Sequence, residues 1–174
     1  MAGDIKDKYV ASSSLTVTNL HSLASSQDWT AGWGSAAISN LTDLNLDNLL
    51  GGTFSTHASN RQAGSINIYL IAPLNDTPTW PASASGTIGT EGAISFTDTE
   101  ERDAACTFLA SITVDSTASA VMPFPMRAIA AQFGGELPTH FVVFVAQNCS
   151  TTTTAGLAAS GSAIYRTGKQ KQYT

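Results

Sequence analysis

A period of two constrains this chain more than any other feature. Apolar and polar side chains alternate in short runs separated by clusters of Gly, Pro, Asn and Ser. Successive side chains of a strand point to opposite faces, so this alternation suits sheets with one buried side and leaves little credible helix. Leu15, Val17 and Leu20 begin the first run. Residues 33–40 and 41–56 follow, with Leu44 and Leu46 alternating ahead of Gly51 and Gly52, a pair that permits a bulge or turn. The stretch SINIYLIAP, 65–73, predicts the strongest strand. Ile66, Ile68 and Leu70 share one face and Tyr69 and Ile71 the other, so both faces are covered and the strand lies inside a sheet.

Residues 75–92 hold Pro78, Pro81 and many small side chains, which predicts a long exposed excursion. Strand patterns resume at 93–98, 107–115 and 119–133, the last held at an edge or broken by Pro123 and Pro125. The segment EERDAACTFLAS has Glu100 and Glu101 where a helix would begin, but reads better as a loop leading into a strand. A Gly134-Gly135 turn precedes a very apolar strand at 141–146, and 162–166 closes the set. About eight strands are expected, forming one all-β domain: an antiparallel β-sandwich of jelly-roll type with flexible terminal arms. The expected divisions are an N-terminal arm at 1–13, the sandwich at 14–166 and a C-terminal tail at 167–174.

Hydrophobic residues make up 43% of the chain and charged residues only 12%, so the polar surface is largely hydroxyl and amide. That surface and a net charge of -5 argue against nucleic acid as a partner. The segment MAGDIKDKYV lacks the apolar core of a secretory leader, and the mature protein is expected to begin near Met1. The longest apolar runs fall far short of the roughly 20 residues that span a bilayer as a helix, so no membrane partner is expected. Cys106 and Cys149 allow a disulfide, but free packing thiols are the favoured reading. Asn-X-Ser/Thr triplets begin at Asn40, Asn75 and Asn148 at about the frequency chance allows, and glycosylation is not expected.

Catalytic signatures are lacking. His21, His57 and His140 have no neighbour at metal-ligand spacing, and no nucleophile elbow, P-loop or dinucleotide fingerprint occurs. Catalytic residues, cofactors and metals are therefore all expected to be none. Asp98, Glu100, Glu101 and Asp103 offer carboxylates for a glycosidase or a calcium site, but carboxylates of one loop rarely face each other across a substrate, and a solvated loop is preferred. Trp29, Trp33 and Trp80 fit a protein interface or the core better than a sugar-stacking platform. Arg166, Lys169 and Lys171, with Tyr173 beside them, place three of the eight basic residues near the C-terminus, where a basic end can dock on an acidic neighbour. The N-terminal arm can likewise add a strand to a partner's sheet edge, fraying being the alternative for both ends.

The order of the segments ASSQDWTAGWGSAAISNLTDLNLDNLLGG, AGSINIYLIAP, AIAAQFGGELPTHFVVFVAQN and AGLAASGSAIYR resembles that of tailed-bacteriophage virion structural proteins, over most of residues 14–166. The resemblance implies a structural component of the particle, foremost a capsid decoration (cement) protein. Such a protein would be a homotrimer that binds the major capsid protein between capsomers on the capsid surface, after assembly in the bacterial host cytoplasm. The alternative is a carbohydrate-binding or connector protein of the phage tail or neck, with Trp80 and its Pro-rich excursion as the sugar surface.

Overall fold

The computed structural model describes residues 4–116, 120–151 and 154–173. Twelve strands occur among them: β1 (Ile5–Tyr9), β2 (Ser13–Ser14), β3 (Ala31–Gly34), β4 (Ile38–Ser39), β5 (Asp47–Ser55), β6 (Gly64–Ile71), β7 (Ala84–Ser85), β8 (Gly92–Phe96), β9 (Thr107–Val114), β10 (Val121–Ala128), β11 (His140–Gln147) and β12 (Ala163–Tyr173). They form two sheets of antiparallel pairs. One runs β1-β12-β5-β10, with β2 also on β12; the other runs β7-β8-β3-β11-β6-β9, with β4 also on β11.

Twelve strands replace the expected eight, and the difference has a simple origin. The four added are β1, in the segment expected as an arm, and the two-residue strands β2, β4 and β7, while the strand expected at 93–98 is β8. For the topology, β1 with β2 and β3 with β4 each count as one interrupted strand, and β7 and β8 extend the second sheet beyond β3. Eight principal strands remain. Numbered along the chain, they lie in the order first, eighth, third, sixth in one sheet and second, seventh, fourth, fifth in the other, which is the strand order of a jelly roll.

The alternation read from the sequence fills the core. Leu50, Phe54, Phe124 and Ile164 from one sheet meet Ile66, Ile68, Leu70, Phe141, Val143 and Val145 from the other in the larger of two apolar clusters. The opposite parity of β6 and β11, namely Tyr69, Ile71, Val142 and Phe144, supplies a second cluster with Ile94 and Phe96. Both faces of β6 are therefore buried, as its sequence requires. At about 25 cal/mol per Å² of apolar surface removed from water, a strand buried on both faces stabilises the fold through every one of its apolar side chains.

Four local expectations are revised. Residues Thr99–Ala105 form a helix, α1, rather than a loop, because the Asp98 carboxylate accepts the Glu101 N–H at 2.8 Å and the Glu101 carboxylate in turn accepts the Thr97 N–H. The run at Leu15–Leu20 is not a continuous strand; it ends in a 3-10 turn, Thr18–Leu20, whose Leu20 is fully buried. Leu44 and Leu46 lie exposed in a loop, not in a strand. The excursion is only partly exposed, since Trp80 and Ile88 pack into the second cluster.

Gly51 and Gly52 lie inside β5 and make no turn. The bulge is opposite them, on β10 between Phe124 and Arg127, and the glycines let Met126 and the Ala163 carbonyl come close. The Gly134-Gly135 turn is as expected, with φ of +79° and +104°. Finally, the terminal segments expected as flexible arms are strands of one sheet. β1 pairs with the end of β12, from Ile5 opposite Tyr173 to Tyr9 opposite Lys169.

Candidate interaction surface

This terminal ribbon brings together four residues singled out in the sequence: Arg166, Lys169, Lys171 and Tyr173 all lie on β12. Directly opposed residues of an antiparallel pair share a face. Lys169, Lys171 and Tyr173 therefore share one face with Tyr9, Asp7 and Ile5. Lys6 and Lys8 occupy the other face, beside Gln172 and Gln170. Every residue of β1 is exposed, so the strand is held by its ladder and its charges and not by core packing.

Asp7 is the electrostatic centre of the ribbon. Lys171 Nζ donates to one carboxylate oxygen, and Lys169 Nζ lies 3.0 Å from the other. Hydrogen bonds from these two lysines hold the Asp7 carboxyl below the usual carboxylate range, and its carboxylate raises Lys169 in return. Arg166 sits on the inner side, 3.5 Å from Asp43 Oδ2, where it lines an open cleft of about 520 Å³ with Ser13, Ser14, Ser35 and Thr42. Gln170 Nε2 donates to the Asp43 carbonyl at 2.7 Å and fixes the same loop to the ribbon.

All four lysines of the chain are in this ribbon. Residues 1–9 and 166–174 carry a net charge of +3, against -8 for residues 10–165, whose three arginines face eleven carboxylates. Two of those arginines are buried. Arg61 bonds Thr56 and Asp115, and Arg102 bonds Asp103 and the Asp28 carbonyl beneath the Tyr69 ring. The molecule is thus an acidic body with one cationic projection.

The tryptophans do not join this surface. Trp33 is fully buried between the sheets, so its expected interface role gives way to packing, and its Nε1 donates to Glu91 Oε1 at 2.7 Å. Trp29 and Trp80 are half-buried against the second cluster, with the Trp80 indole seated over Gly89. The three indoles therefore form no common exposed platform. The acidic cluster is likewise occupied structurally: Asp98 and Glu101 cap α1, and Asp103 pairs with Arg102.

Of the histidines, His57 Nδ1 accepts the N–H groups of Ser59 and Asn60, and His21 Nε2 lies 3.3 Å from the distant Ser162 carbonyl. Both cysteines are free, as favoured from the sequence, and burial pushes the Cys106 thiol up to about 12 and the Cys149 thiol up to about 11. Neither is a thiolate at neutral pH.

The sequence reading missed the partners of the basic tail: Ile5, Asp7 and Tyr9 on one face and Lys6 and Lys8 on the other. A signal was present, because IKDKY and KQKQY both alternate with period two. Compared with family models and with curated proteins, the chain matches none.

Proposed function

We propose that this chain is a non-enzymatic structural protein that works by adhesion to other protein surfaces, specifically a decoration protein bracing the shell of a tailed-phage virion. The observation that carries the adhesive reading is the terminal ribbon. An exposed two-stranded projection bearing every lysine of an acidic molecule is a means of contact, since it presents strand backbone, apolar side chains and unlike charge together. The assignment to a phage shell rests on the order of sequence segments and on the jelly-roll expectation that accompanied it. Within an oligomer, several modest contacts of this kind act through avidity, so no single interface need be large.

Cryo-electron microscopy of purified virions carrying the chain tests the proposal. The expected map has ordered density for the jelly roll between capsomers, with the ribbon against a neighbouring subunit. Density confined to the tail or neck, or absence of the chain from particles by mass spectrometry, would overturn the shell assignment.

A further inference from the structure

We propose that β1 is an acceptor edge for an extended acidic segment of another protein, which joins the five-stranded sheet as its next strand. The backbone is arranged for it. The Val10 N–H donates to the Gly168 carbonyl at 2.8 Å. Continuing that register makes Lys8–Gln170 and Lys6–Gln172 the hydrogen-bonded pairs. Ile5, Asp7 and Tyr9 consequently direct their N–H and C=O groups away from β12, onto the open side of the sheet.

The side chains then select the occupant. A strand added about 4.8 Å from β1 places alternate residues beside Lys6 and Lys8 on one face and beside Ile5 and Tyr9 on the other. Carboxylates suit the first face and apolar groups the second, so the fitting segment alternates acidic and apolar residues. Asp7 does not oppose this, because Lys169 and Lys171 already neutralise it on the apolar face.

A second copy of the chain does not supply such a segment. Two β1 strands paired antiparallel about Asp7 would set Lys6 against Lys8 in both directions, a like-charge contact. The far edge of the same sheet, β10, has Pro123 at an outward position. The Thr56 N–H donates to the Ala120 carbonyl, and the register from there turns Val121 and Pro123 away from β5. Proline offers that edge no donor. The edges of the other sheet are β9, with no carboxylate, and β7, two residues long.

The inference rests on the reading of the ribbon as a docking element, but its test uses the isolated full chain and so fails or succeeds apart from the particle experiment. Fluorescein-labelled Val-Glu-Val-Glu-Val is titrated with the chain at low salt and followed by anisotropy. Saturable binding is expected, weakened about tenfold or more by replacing the glutamates with lysines, by N-methylating alternate peptide bonds, or by Lys6→Glu/Lys8→Glu in the chain. Circular dichroism verifies that this variant keeps its fold, as the full exposure of β1 leads one to expect. Absence of binding, equal binding of the N-methylated peptide, or indifference to Lys6→Glu/Lys8→Glu would overturn the proposal. So would sedimentation showing self-association that the double variant abolishes, since the edge would then belong to a second copy.

Discussion

A single carboxylate, Glu91, ties the excursion to the centre of the sandwich. Its Oε1 accepts from Trp33 Nε1 and from the Asn19 N–H, both at 2.7 Å, and its Oε2 accepts from Asn19 Nδ2 at 2.6 Å. Burial pushes this carboxyl up, but the bonds from Trp33 and Asn19 outweigh it and the net direction is down. A depressed folded-state pKa contributes stability that is complete above the unfolded value, about 4.3, and is lost as pH falls through the lower folded value. Urea unfolding midpoints measured across that acid range are therefore expected to fall less steeply for Glu91→Gln than for the native chain, and equal slopes would remove Glu91 from the account. Alternation reveals Trp33 as an apolar position, but it cannot reveal a bond made between residues so distant in sequence. The reverse failure occurs at Leu44 and Leu46. There the Asn40 side chain accepts the Asn45 N–H and donates to the Asn45 carbonyl, and Leu44 takes a φ of +48°, so local hydrogen bonding overrides the alternation.

At the scale of elements, strands buried on both faces were the most legible. β6 and β11 have long apolar runs because each contributes to both clusters, and no helix of that length satisfies the same burial. α1 was not legible for a physical reason: its N-terminal signal is made of the same carboxylates that suggest a catalytic or calcium-binding loop. Asp98 followed three residues later by Glu101 is a capping arrangement, and Asp98→Ala should cost about 1 kcal/mol in chemical denaturation. A cost near zero would show that packing of Ala105 and Cys106 on the second cluster holds the helix without its cap. The prolines of β10 suggested an edge or a broken strand; it is an edge strand with a bulge, and the register explains where Pro123 falls. Pro123 removes a donor only on the outward side, so the ladder to β5 loses nothing while the free edge is blunted. Pro123→Val restores that donor. Its expected effect is concentration-dependent association, seen by light scattering, with little change in melting temperature; a variant that stays monodisperse would mean the bulge alone guards this edge.

Over the whole molecule, the number and spacing of the strand patterns suggest a sandwich of jelly-roll type without fixing its strand order, and nothing in them joins the two ends. Each terminal segment by itself is short, polar and rich in lysine, the composition of a fraying end. Only their antiparallel register, with Asp7 between Lys169 and Lys171, makes them a ribbon. The structure also relocates the boundary between body and projection. Thr167 and Gly168 are buried, and β12 pairs with β5 as far as Lys169 opposite Asp47, so residues 167–169 belong to the sandwich. Deleting 170–174 together with 1–9 removes exposed residues of the described strands and the half-buried Gln170 with its bond to the Asp43 carbonyl, and should leave cooperative melting close to that of the full chain. Deleting 167–174 also removes three strand pairs and should cost on the order of 3 kcal/mol, at about 1 kcal/mol for each net hydrogen bond. Thermal and urea unfolding of the two truncations separates the body from the projection, and equal destabilisation would show that the ribbon supports the fold. If only the longer truncation melts early, any loss of particle occupancy by the shorter one reports lost contact with a partner and not a damaged sandwich.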